Sequence, residues 1–505
     1  MSDYVYQTKP FKHQEDVFLA SRDKEYFALL MEQGTGKSKV TVDTAAWLYA
    51  QGKIDAMLVI APNGVHSNWI INEIPIHCPD YVMPQAALYR SQMSKDEEKK
   101  LCKVLDPENT GLRIVALNIE ALVTQKGVNF VKNFLLGFRT LLVVDESSVI
   151  KSPKAQRTKN LLKLSIHAKY RRILTGTPVT QGPLDLYTQF AFLDQHILRT
   201  SSFYAFRNRY AILKEMRTAG RSFMNVIGYT NLDELQTLIA PHSYRVTKSE
   251  CLDLPEKLYS KRYVTLSDTQ AKLYKALKKE VVAEFNGMVM STPLALTKLL
   301  RLQQIVGGFF QPDVPMEFKE EVDANGNLQL VPVEHAAKPP QAIDKVNPRV
   351  ESLIELLEET NGKVIIWARF RAEIEAISTR IRSVFGNTTV VEYHGGIDNE
   401  QRSDAIRTFQ DSESPARFFV GHVQAGGKGI TLTAATTVIY YSNNFSLEDR
   451  LQSEDRCHRI GQKHNVTYID MIAQGTLDEK VVETLRNKKS VADLITGDEP
   501  LENWV

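Results

Sequence analysis

The stretch YFALLMEQGTGKSK, from Tyr26 to Lys39, constrains the fold of this chain more than any other part of its sequence. An apolar run that ends at Met31 leads into Gly34-Thr35-Gly36-Lys37-Ser38, a pattern that predicts a strand, a glycine loop and a helix. Glycines let backbone N–H groups close around phosphate oxygens, and the positive end of the helix points at the same anion. Met31 stands where the full phosphate-loop pattern has another glycine, so an ordinary glycine turn is the alternative interpretation.

Two side chains of this loop have the chemistry of a nucleotide site. Lys37 can reach the β- and γ-phosphates, and Ser38 can offer its hydroxyl to Mg²⁺. Upstream, FKHQEDVFLA predicts the start of a helix that carries Gln14. The amide of Gln14 can pair with both a donor and an acceptor on the edge of adenine, although most glutamines are simply solvated.

Composition excludes several classes of protein. A chain of 505 residues exceeds one core and predicts two or more domains. The net charge of +2 means that any nucleic-acid surface is a local patch. Four scattered cysteines without CxxC spacing predict a reducing compartment, with no zinc site and no disulfide framework. No apolar run is long enough to span a bilayer, and the N-terminus lacks a signal pattern.

Short apolar runs alternate with helical stretches through the first half of the chain. They span Ala56–Ala61, Arg113–Leu117, Thr140–Val144 and Arg172–Leu174, and a polar cluster follows each run. Strands that alternate with helices predict βαβ units and a parallel sheet. Because such sheets bind ligands at the carboxyl ends of their strands, these polar clusters are candidate site residues.

Asp145-Glu146 follows the third of these runs directly. An aspartate in this place can hold Mg²⁺, directly or through water, and the glutamate beside it can orient and deprotonate an attacking water. The alternative is an acidic turn after a strand. In one sheet with Lys37 and Ser38, the pair favours nucleotide hydrolysis.

The middle of the chain contains three different segments. Phe203–Arg221 is basic with interleaved aromatic residues and could contact a phosphate backbone, although a solvated helix face is equally compatible. Thr269–Val306 predicts helices whose apolar positions, beginning at Leu273, face the core. Gln311–Pro348 predicts an inserted surface element with a hairpin at Asn325-Gly326, or alternatively a disordered linker.

The second half of the chain predicts a second parallel sheet. Its strands are expected at Lys363–Trp367, Thr389–Tyr393, Arg417–Gly421, Val438–Tyr441 and Val466–Ile472. This half repeats the architecture of the first without a phosphate loop, which suggests that it completes the site of the first half.

The completing residues are expected in QSEDRCHRIGQ, which spans Gln452 to Gln462. Arg456 and Arg459 are three residues apart and would share one face of a helix. Two guanidiniums on one face suit a γ-phosphate whose charge spreads in the transition state. A solvated, ion-paired helix surface is the alternative.

The order of these motifs resembles that of a known family. MEQGTGKS, LVIAPNGVHSNW, VVDESS and LTGTP follow one another as in superfamily-two helicase motors, and they are most similar to the Swi/Snf-type DNA translocases. HVQAGGKGITL and QSEDRCHRIGQ resemble motifs five and six of that family, and the similarity extends from Phe11 to about Lys489. Ser147-Ser148 departs from the pattern, because the family usually has Ala-His after Asp-Glu.

The resemblance implies an α/β fold of two tandem RecA-like parallel-sheet lobes with a helical element and a loop insertion between them. The expected units are an ATP-binding lobe at 1–250, a helical linker and insertion at 251–347, and a C-terminal helicase lobe with a bracing helix at 348–505. ATP and Mg²⁺ are the implied cofactors.

The resemblance also implies roles for individual residues. The expected catalytic residues are Lys37, Asp145, Glu146, Arg456 and Arg459. The expected nucleotide-binding residues are Gln14, Gly34, Thr35, Gly36, Lys37, Ser38, Gln452 and Gly429, with Ser38 and Asp145 as metal ligands. The expected nucleic-acid contacts are Pro62, Asn68, Trp69, Thr177, Arg369, His394, Gln424 and Lys428.

The implied function is that of an ATP-dependent DNA translocase, a nucleic-acid-dependent ATPase that favours duplex DNA and works as a monomer away from membranes. A strand-separating DNA or RNA helicase is one alternative. An ATP-gated nucleic-acid clamp without useful turnover is another, with Ser147-Ser148 as its support. The length and the lack of basic tails favour the cytoplasm of a bacterium or a phage-infected cell, whereas a eukaryotic protein would be nuclear; protein partners are not predicted.

Overall fold

The strands of this protein form two large sheets. The computed structural model describes residues 4–63, 65–218, 221–251, 254–287, 292–312, 318–322, 328–332, 339–426, 430–496 and 498. Within these residues one large sheet has seven strands and the other has six, and three two-stranded pairs accompany them. Both large sheets are parallel, which confirms the α/β prediction of two tandem lobes. None of the helices in the described ranges has the length and apolarity that a membrane span requires.

In the described part of the first lobe there are nine strands. They are β1 (Tyr26–Met31), β2 (Ala56–Ala61), β3 (Gln85–Tyr89), β4 (Arg113–Asn118), β5 (Thr140–Asp145), β6 (Tyr170–Leu174), β7 (Ala211–Thr218), β8 (Arg221–Tyr229) and β9 (Ser243–Val246). The large sheet has the order β3-β4-β2-β5-β6-β1-β9. The strands predicted from apolar runs are therefore confirmed, whereas β3 and β9 at the two edges were not predicted.

Helices cover both faces of this sheet. They are α1 (Lys12–Ser21), α2 (Lys37–Ala50), α3 (Val65–Asn68), α4 (Ile74–His77), α5 (Lys95–Leu105), α6 (Gln125–Gly137), α7 (Gln156–Ser165), α8 (Leu186–Leu193), α9 (Phe203–Tyr210), α10 (Leu232–Ile239) and α11 (Lys248–Cys251). Alternate residues of β2 enter different apolar clusters, since Leu58 and Ile60 pack on one face and Met57 and Val59 on the other. A strand buried on both faces reads as one continuous apolar run.

The basic segment Phe203–Arg221 is not one helix. α9 ends at Tyr210, and β7 and β8 then form an antiparallel hairpin outside the large sheets. Arg209 donates to the Glu234 carboxylate at 2.6 Å, and the Tyr210 hydroxyl donates to the same group at 3.0 Å. The alternative of a solvated helix face is therefore wrong beyond α9, while contact with a phosphate backbone stays a prediction.

Among the residues that the structure describes, the second sheet and the insertion contain ten strands. They are β10 (Lys257–Val264), β11 (Phe309–Phe310), β12 (Phe318–Val322), β13 (Leu328–Pro332), β14 (Gln341–Ala342), β15 (Lys363–Ala368), β16 (Val390–Tyr393), β17 (Phe418–His422), β18 (Ala435–Tyr440) and β19 (Val466–Ala473). The large sheet has the order β10-β19-β18-β15-β17-β16. β10 pairs with β19 over its full length, although its segment was predicted to belong to a helical linker. Its KLYSKRYV sequence has no apolar run because an edge strand is partly solvated.

Eight helices of the described ranges accompany the second lobe. They are α12 (Asp268–Gly287), α13 (Thr292–Val306), α14 (Pro348–Glu359), α15 (Arg371–Phe385), α16 (Asn399–Gln410), α17 (Val423–Gly426), α18 (Leu447–Glu454) and α19 (Leu477–Thr496). The helices predicted for Thr269–Val306 are confirmed, but Leu273 is 45% exposed and Tyr274 is buried instead. The core-facing prediction for Leu273 is wrong because one position turns a helix face by about 100°. β12 and β13 pair as the predicted hairpin, and Asn325-Gly326 lies outside the described residues.

A buried charge network fixes α18 to the second sheet. The Arg450 guanidinium donates to both oxygens of Asp470 on β19, at 2.6 and 2.9 Å, and to Glu454 at 2.9 Å. Asn443 donates to Asp470 as well, at 2.6 Å. Buried charges are tolerated only when they are paired, so this network determines where α18 lies.

The network predicts a large loss of stability on truncation. Asp470→Ala leaves Arg450 buried without its bidentate partner, and we expect it to lower the free energy of unfolding by about 3–5 kcal/mol. Urea unfolding followed by circular dichroism measures this change. Asp404→Ala is the control, because Asp404 pairs with Arg407 where both side chains are mostly exposed, and it should cost less than about 1 kcal/mol. Equal losses in the two variants would contradict the assignment.

Candidate nucleotide site between the lobes

The loop between β1 and α2 has the backbone of an anion cradle. Gly34 and Gly36 have φ angles of 82° and 94°, values that favour glycine. Lys37 opens α2, and its ammonium donates to the carbonyls of Met31 at 2.9 Å and Glu32 at 3.3 Å. The first N–H groups of a helix have no acceptor within the helix, so a phosphate can accept hydrogen bonds from the start of α2.

Gln14 on α1 braces this loop. Its buried amide accepts from the backbone N–H of Phe11 at 3.1 Å and donates to the carbonyl of Thr35 at 3.2 Å. A Cβ atom at Gly36 would lie 2.2 Å from Nε2 of Gln14, so the close approach requires glycine there. The structure thus gives Gln14 a role in positioning the loop, and its contact with adenine stays a prediction.

β5 brings Asp145 and Glu146 to the same edge of the sheet. Asp145 accepts hydrogen bonds from the indole N–H of Trp69 at 2.8 Å and from the backbone N–H of Glu146 at 3.0 Å. Glu146 has a φ of 50°, a left-handed conformation that is uncommon for a residue with a Cβ and that clusters at functional sites. It turns the chain out of β5 and into the 3₁₀ turn Ser147–Ile150.

Burial changes the acidity of these carboxyls. It raises the pKa of Glu146 to about 7, against the opposing effect of the Lys37 ammonium. It also raises the pKa of Asp145, although the hydrogen bond from Trp69 and the charge of Lys37 favour the carboxylate. A carboxylate whose pKa lies near neutrality is suited to exchange a proton with water.

Arg456 and Arg459 reach the same space from the second lobe. The two arginines were predicted to share one face of a helix. This prediction is wrong, because α18 ends at Glu454 and both arginines lie in the turns that follow. The Arg459 guanidinium donates to the Thr431 hydroxyl at 2.9 Å. Arg456 is 4% exposed, and burial lowers its pKa to about 10.

One cavity of about 450 Å³ collects these side chains at the junction of the lobes. Its lining residues include Gly34, Lys37, Ser38, Pro62, Asn68, Trp69, Glu73, Asp145, Glu146, Thr431, Glu448, Gln452, Arg456 and Arg459. Hydroxyl and carboxylate oxygens on the first-lobe side are the ligands that Mg²⁺ prefers, and the cations on both sides suit phosphates. The residues present therefore fit a magnesium nucleotide.

Three of the predicted nucleic-acid contacts lie in the wall of this cavity. Pro62, Asn68 and Trp69 all line it, because the chain turns back over α2 after β2 ends. Trp69 is 1% exposed and its indole N–H donates to Asp145, and the contact of these three residues with nucleic acid stays a prediction. Asn68 donates to the Glu73 carboxylate at 2.9 Å, which orders the wall of the cavity.

The remaining predicted nucleic-acid contacts lie outside the cavity lining, at Thr177, Arg369, His394 and Gln424. Gln424 is exposed, Thr177 and Arg369 are half-buried, and His394 is 5% exposed. His394 accepts the backbone N–H of Gly396 through Nδ1 at 3.0 Å, which gives it a local structural role. Lys428 and Gly429 lie outside the described residues.

Ser147 and Ser148 have separate partners. The Ser147 hydroxyl donates to Gln189 Oε1 at 2.6 Å, and Gln189 Nε2 donates to the Pro178 carbonyl at 2.8 Å. This relay links the acidic turn to the Thr175–Pro178 loop without a histidine. The Ser148 hydroxyl instead donates to Glu448 of the second lobe, at 2.8 Å.

The lining residues that sequence reasoning missed include Glu73, Thr431 and Glu448. Thr431 lies inside HVQAGGKGITL and could have been found there. Glu73 lies four residues beyond Trp69, but an isolated acid gives no signal. Glu448 stands among several acids of α18, and the sequence does not say which of them faces the first lobe.

Two family models match consecutive parts of the chain. The chain matches the SNF2-related domain over residues 15–307 and the helicase conserved C-terminal domain over residues 348–461. The first match alone covers more than half of the chain.

Several curated proteins are similar to the chain. TATA-binding protein-associated factor 172 of Homo sapiens is 26% identical over 75% of this chain and 22% of its own length. Chromodomain-helicase-DNA-binding protein 1-like of Mus musculus is 25% identical over 92% of this chain and 47% of its length. ATP-dependent helicase fft3 of Schizosaccharomyces pombe is 24% identical over 92% of this chain and 54% of its length. The chain thus spans about a fifth to a half of these relatives.

A solved structure is also similar. The Sulfolobus solfataricus SWI2/SNF2 ATPase core in complex with dsDNA is 24% identical, and the match covers 98% of this chain and 95% of that chain with a TM-score of 0.42.

Trp69 generates a prediction for this site. Trp69→Phe keeps the ring but removes the N–H that Asp145 accepts, and we expect it to weaken Mg²⁺-dependent nucleotide binding about tenfold. Titration of a fluorescent ATP analogue with and without Mg²⁺ measures the effect. Trp47→Phe is the matched control, since the Trp47 indole donates to Asp23 on the surface. Similar losses in both variants would contradict a role for the Trp69–Asp145 bond.

Proposed function

The chain belongs to the SNF2-related family, and from that premise we propose that it is an ATP-dependent DNA translocase that hydrolyses ATP when bound to DNA. The observation that carries the proposal is the cavity between the lobes, which Lys37 lines from one side and Arg456 and Arg459 from the other. A triphosphate in this cavity would have cations on two sides.

The residues of the cavity suggest how hydrolysis would proceed. The loop amides and Lys37 bind the phosphates, and Ser38 and Asp145 would hold Mg²⁺. The bound metal would neutralise phosphate charge and orient the phosphates for in-line attack. Glu146 orients a water and accepts its proton, while the two guanidiniums stabilise charge on the γ-phosphoryl oxygens. Catalysis then consists of positioning and charge stabilisation.

The division of the site between lobes supports a motor. Because each lobe supplies only part of the charge, the site is complete only while the lobes are closed, and nucleotide turnover would open and close them. We propose duplex DNA as the track, since the motifs resemble those of Swi/Snf-type translocases, which follow DNA more than they separate its strands. A single chain supplies both halves of the site, so a monomer suffices.

A panel of nucleic acids tests the choice of track. We expect duplex DNA to raise the steady-state ATPase rate at least tenfold, with smaller effects of single-stranded DNA and RNA. Phosphate release in low salt measures the rates. Equal stimulation by RNA, or none by duplex DNA, would contradict the proposal. Unwinding of a partial duplex would favour the helicase alternative instead.

Variants of the cavity test its chemistry. Lys37→Ala should abolish phosphate release, and Glu146→Gln should do so while retaining ATP binding, because its amide cannot accept the proton. Arg459→Ala should lower kcat by about 10³-fold with a small change in KM, since its charge acts in the transition state. Lys53→Ala, on the surface beside Asp23, is the control. Turnover that survives Lys37→Ala would contradict this assignment.

A further inference from the structure

We infer that Glu448 is a positioning residue that latches the second lobe onto the first, at the segment 147–151 that follows Glu146 and is called the catalytic turn below. This inference rests on the proposed ATPase function. Glu448 lies in the first turn of α18, and both of its carboxylate oxygens bond to the first lobe. The nucleotide-site chemistry described above assigns it no role.

The contacts of Glu448 are specific to the turn that follows Glu146. One oxygen accepts from the Ser148 hydroxyl at 2.8 Å, and the other accepts from the Lys151 ammonium at 3.1 Å. Lys151 also donates to the Thr180 hydroxyl at 2.7 Å. The carboxylate thereby joins two first-lobe segments, the acidic turn and the loop after Thr175–Pro178.

The latch is partly shielded from water. The Glu448 side chain is 22% exposed and that of Lys151 is 28% exposed. Charge-assisted hydrogen bonds in such surroundings are stronger than those between neutral groups. The Ser148 hydroxyl provides the second donor to Glu448. This bond therefore comes from one of the two serines that stand where the family usually has Ala-His.

The second-lobe end of the latch is rigid. Two residues beyond Glu448, Arg450 ties α18 to Asp470 on β19. Gln452 follows on the same helix, and Arg456 follows its end, and both line the nucleotide cavity. A carboxylate that holds α18 against the catalytic turn therefore also fixes how far the guanidinium of Arg456 stands from Glu146.

Two other polar contacts between the lobes lie away from the catalytic turn. Lys488 on α19 donates to Gln181 at 2.6 Å, and Arg245 on β9 pairs with Asp498 near the C-terminus at 2.6 Å. These contacts brace the lobes from the C-terminal side. Within the described residues, Glu448 bonds the 3₁₀ turn after Glu146 to the second lobe.

A charge swap in the full-length chain tests the latch. Glu448→Lys places two cations together, and we expect kcat with DNA to fall roughly tenfold while KM for ATP changes less than twofold. Adding Lys151→Glu restores an opposite pair, and we expect it to recover most of the lost kcat. Glu355→Lys is the matched control, since Glu355 pairs with Arg262 on the surface of the second lobe, and it should retain wild-type kcat.

Each kinetic outcome decides the inference. A kcat loss recovered by the swap supports the latch. An unchanged kcat, or a double variant no better than Glu448→Lys alone, overturns it. A lower KM with unchanged kcat in Glu448→Gln also overturns it, because that result would mean that Glu448 only repels the phosphates.

Solution scattering separates this inference from the proposed function. Small-angle X-ray scattering of the nucleotide-free chain needs neither hydrolysis nor DNA. We expect Glu448→Lys to increase the radius of gyration and the charge swap to reverse the increase. If the wild type shows no ATPase, the proposed function fails and scattering decides the latch alone. An unchanged radius in Glu448→Lys would then overturn it.

Discussion

Opposite charges meet across the cleft between the lobes, and the rest of this structure serves to bring them there. The first lobe contributes Lys37, Asp145 and Glu146, and the second contributes Arg456 and Arg459. Burying charge is costly unless it is paired or hydrogen-bonded, and the proposed magnesium triphosphate would add partners of both signs. In the function proposed above, neither lobe would bind that ligand completely, so lobe closure and chemistry would be one event.

Each charged residue of the cavity is positioned by an ordered turn, helix or strand end. The positive φ angles of Gly34 and Gly36 turn the chain from β1 into α2, where Lys37 begins the helix. Glu146 adopts a left-handed conformation at the end of β5, and strain of this kind persists only where the surroundings hold it. On the other side, the Arg450 network fixes α18. These local contacts hold each half of the site in shape within its own lobe.

The success of sequence reasoning depended on burial. β2 and β5 were found because strands covered on both faces are apolar throughout. β10 was missed because it lies at the edge of its sheet, where polar residues alternate with apolar ones. Leu273 was placed on the wrong face because helical spacing gives a period and leaves its phase to packing. Strands and helices with continuous or periodic apolar residues were therefore more predictable than the position of a strand in its sheet or the face that a helix buries.

The sequence alone determined the glycine loop, the acidic pair and the arginines as candidate groups, because each depends on residue types at short spacing. Tertiary structure alone decided that Trp69 binds Asp145 inside the cavity, that Arg456 lies beyond the end of α18, and that Ser148 reaches Glu448. The residues of the last pair lie 300 positions apart. Such contacts depend on how two separately folded sheets dock, and no local pattern of residues encodes that geometry.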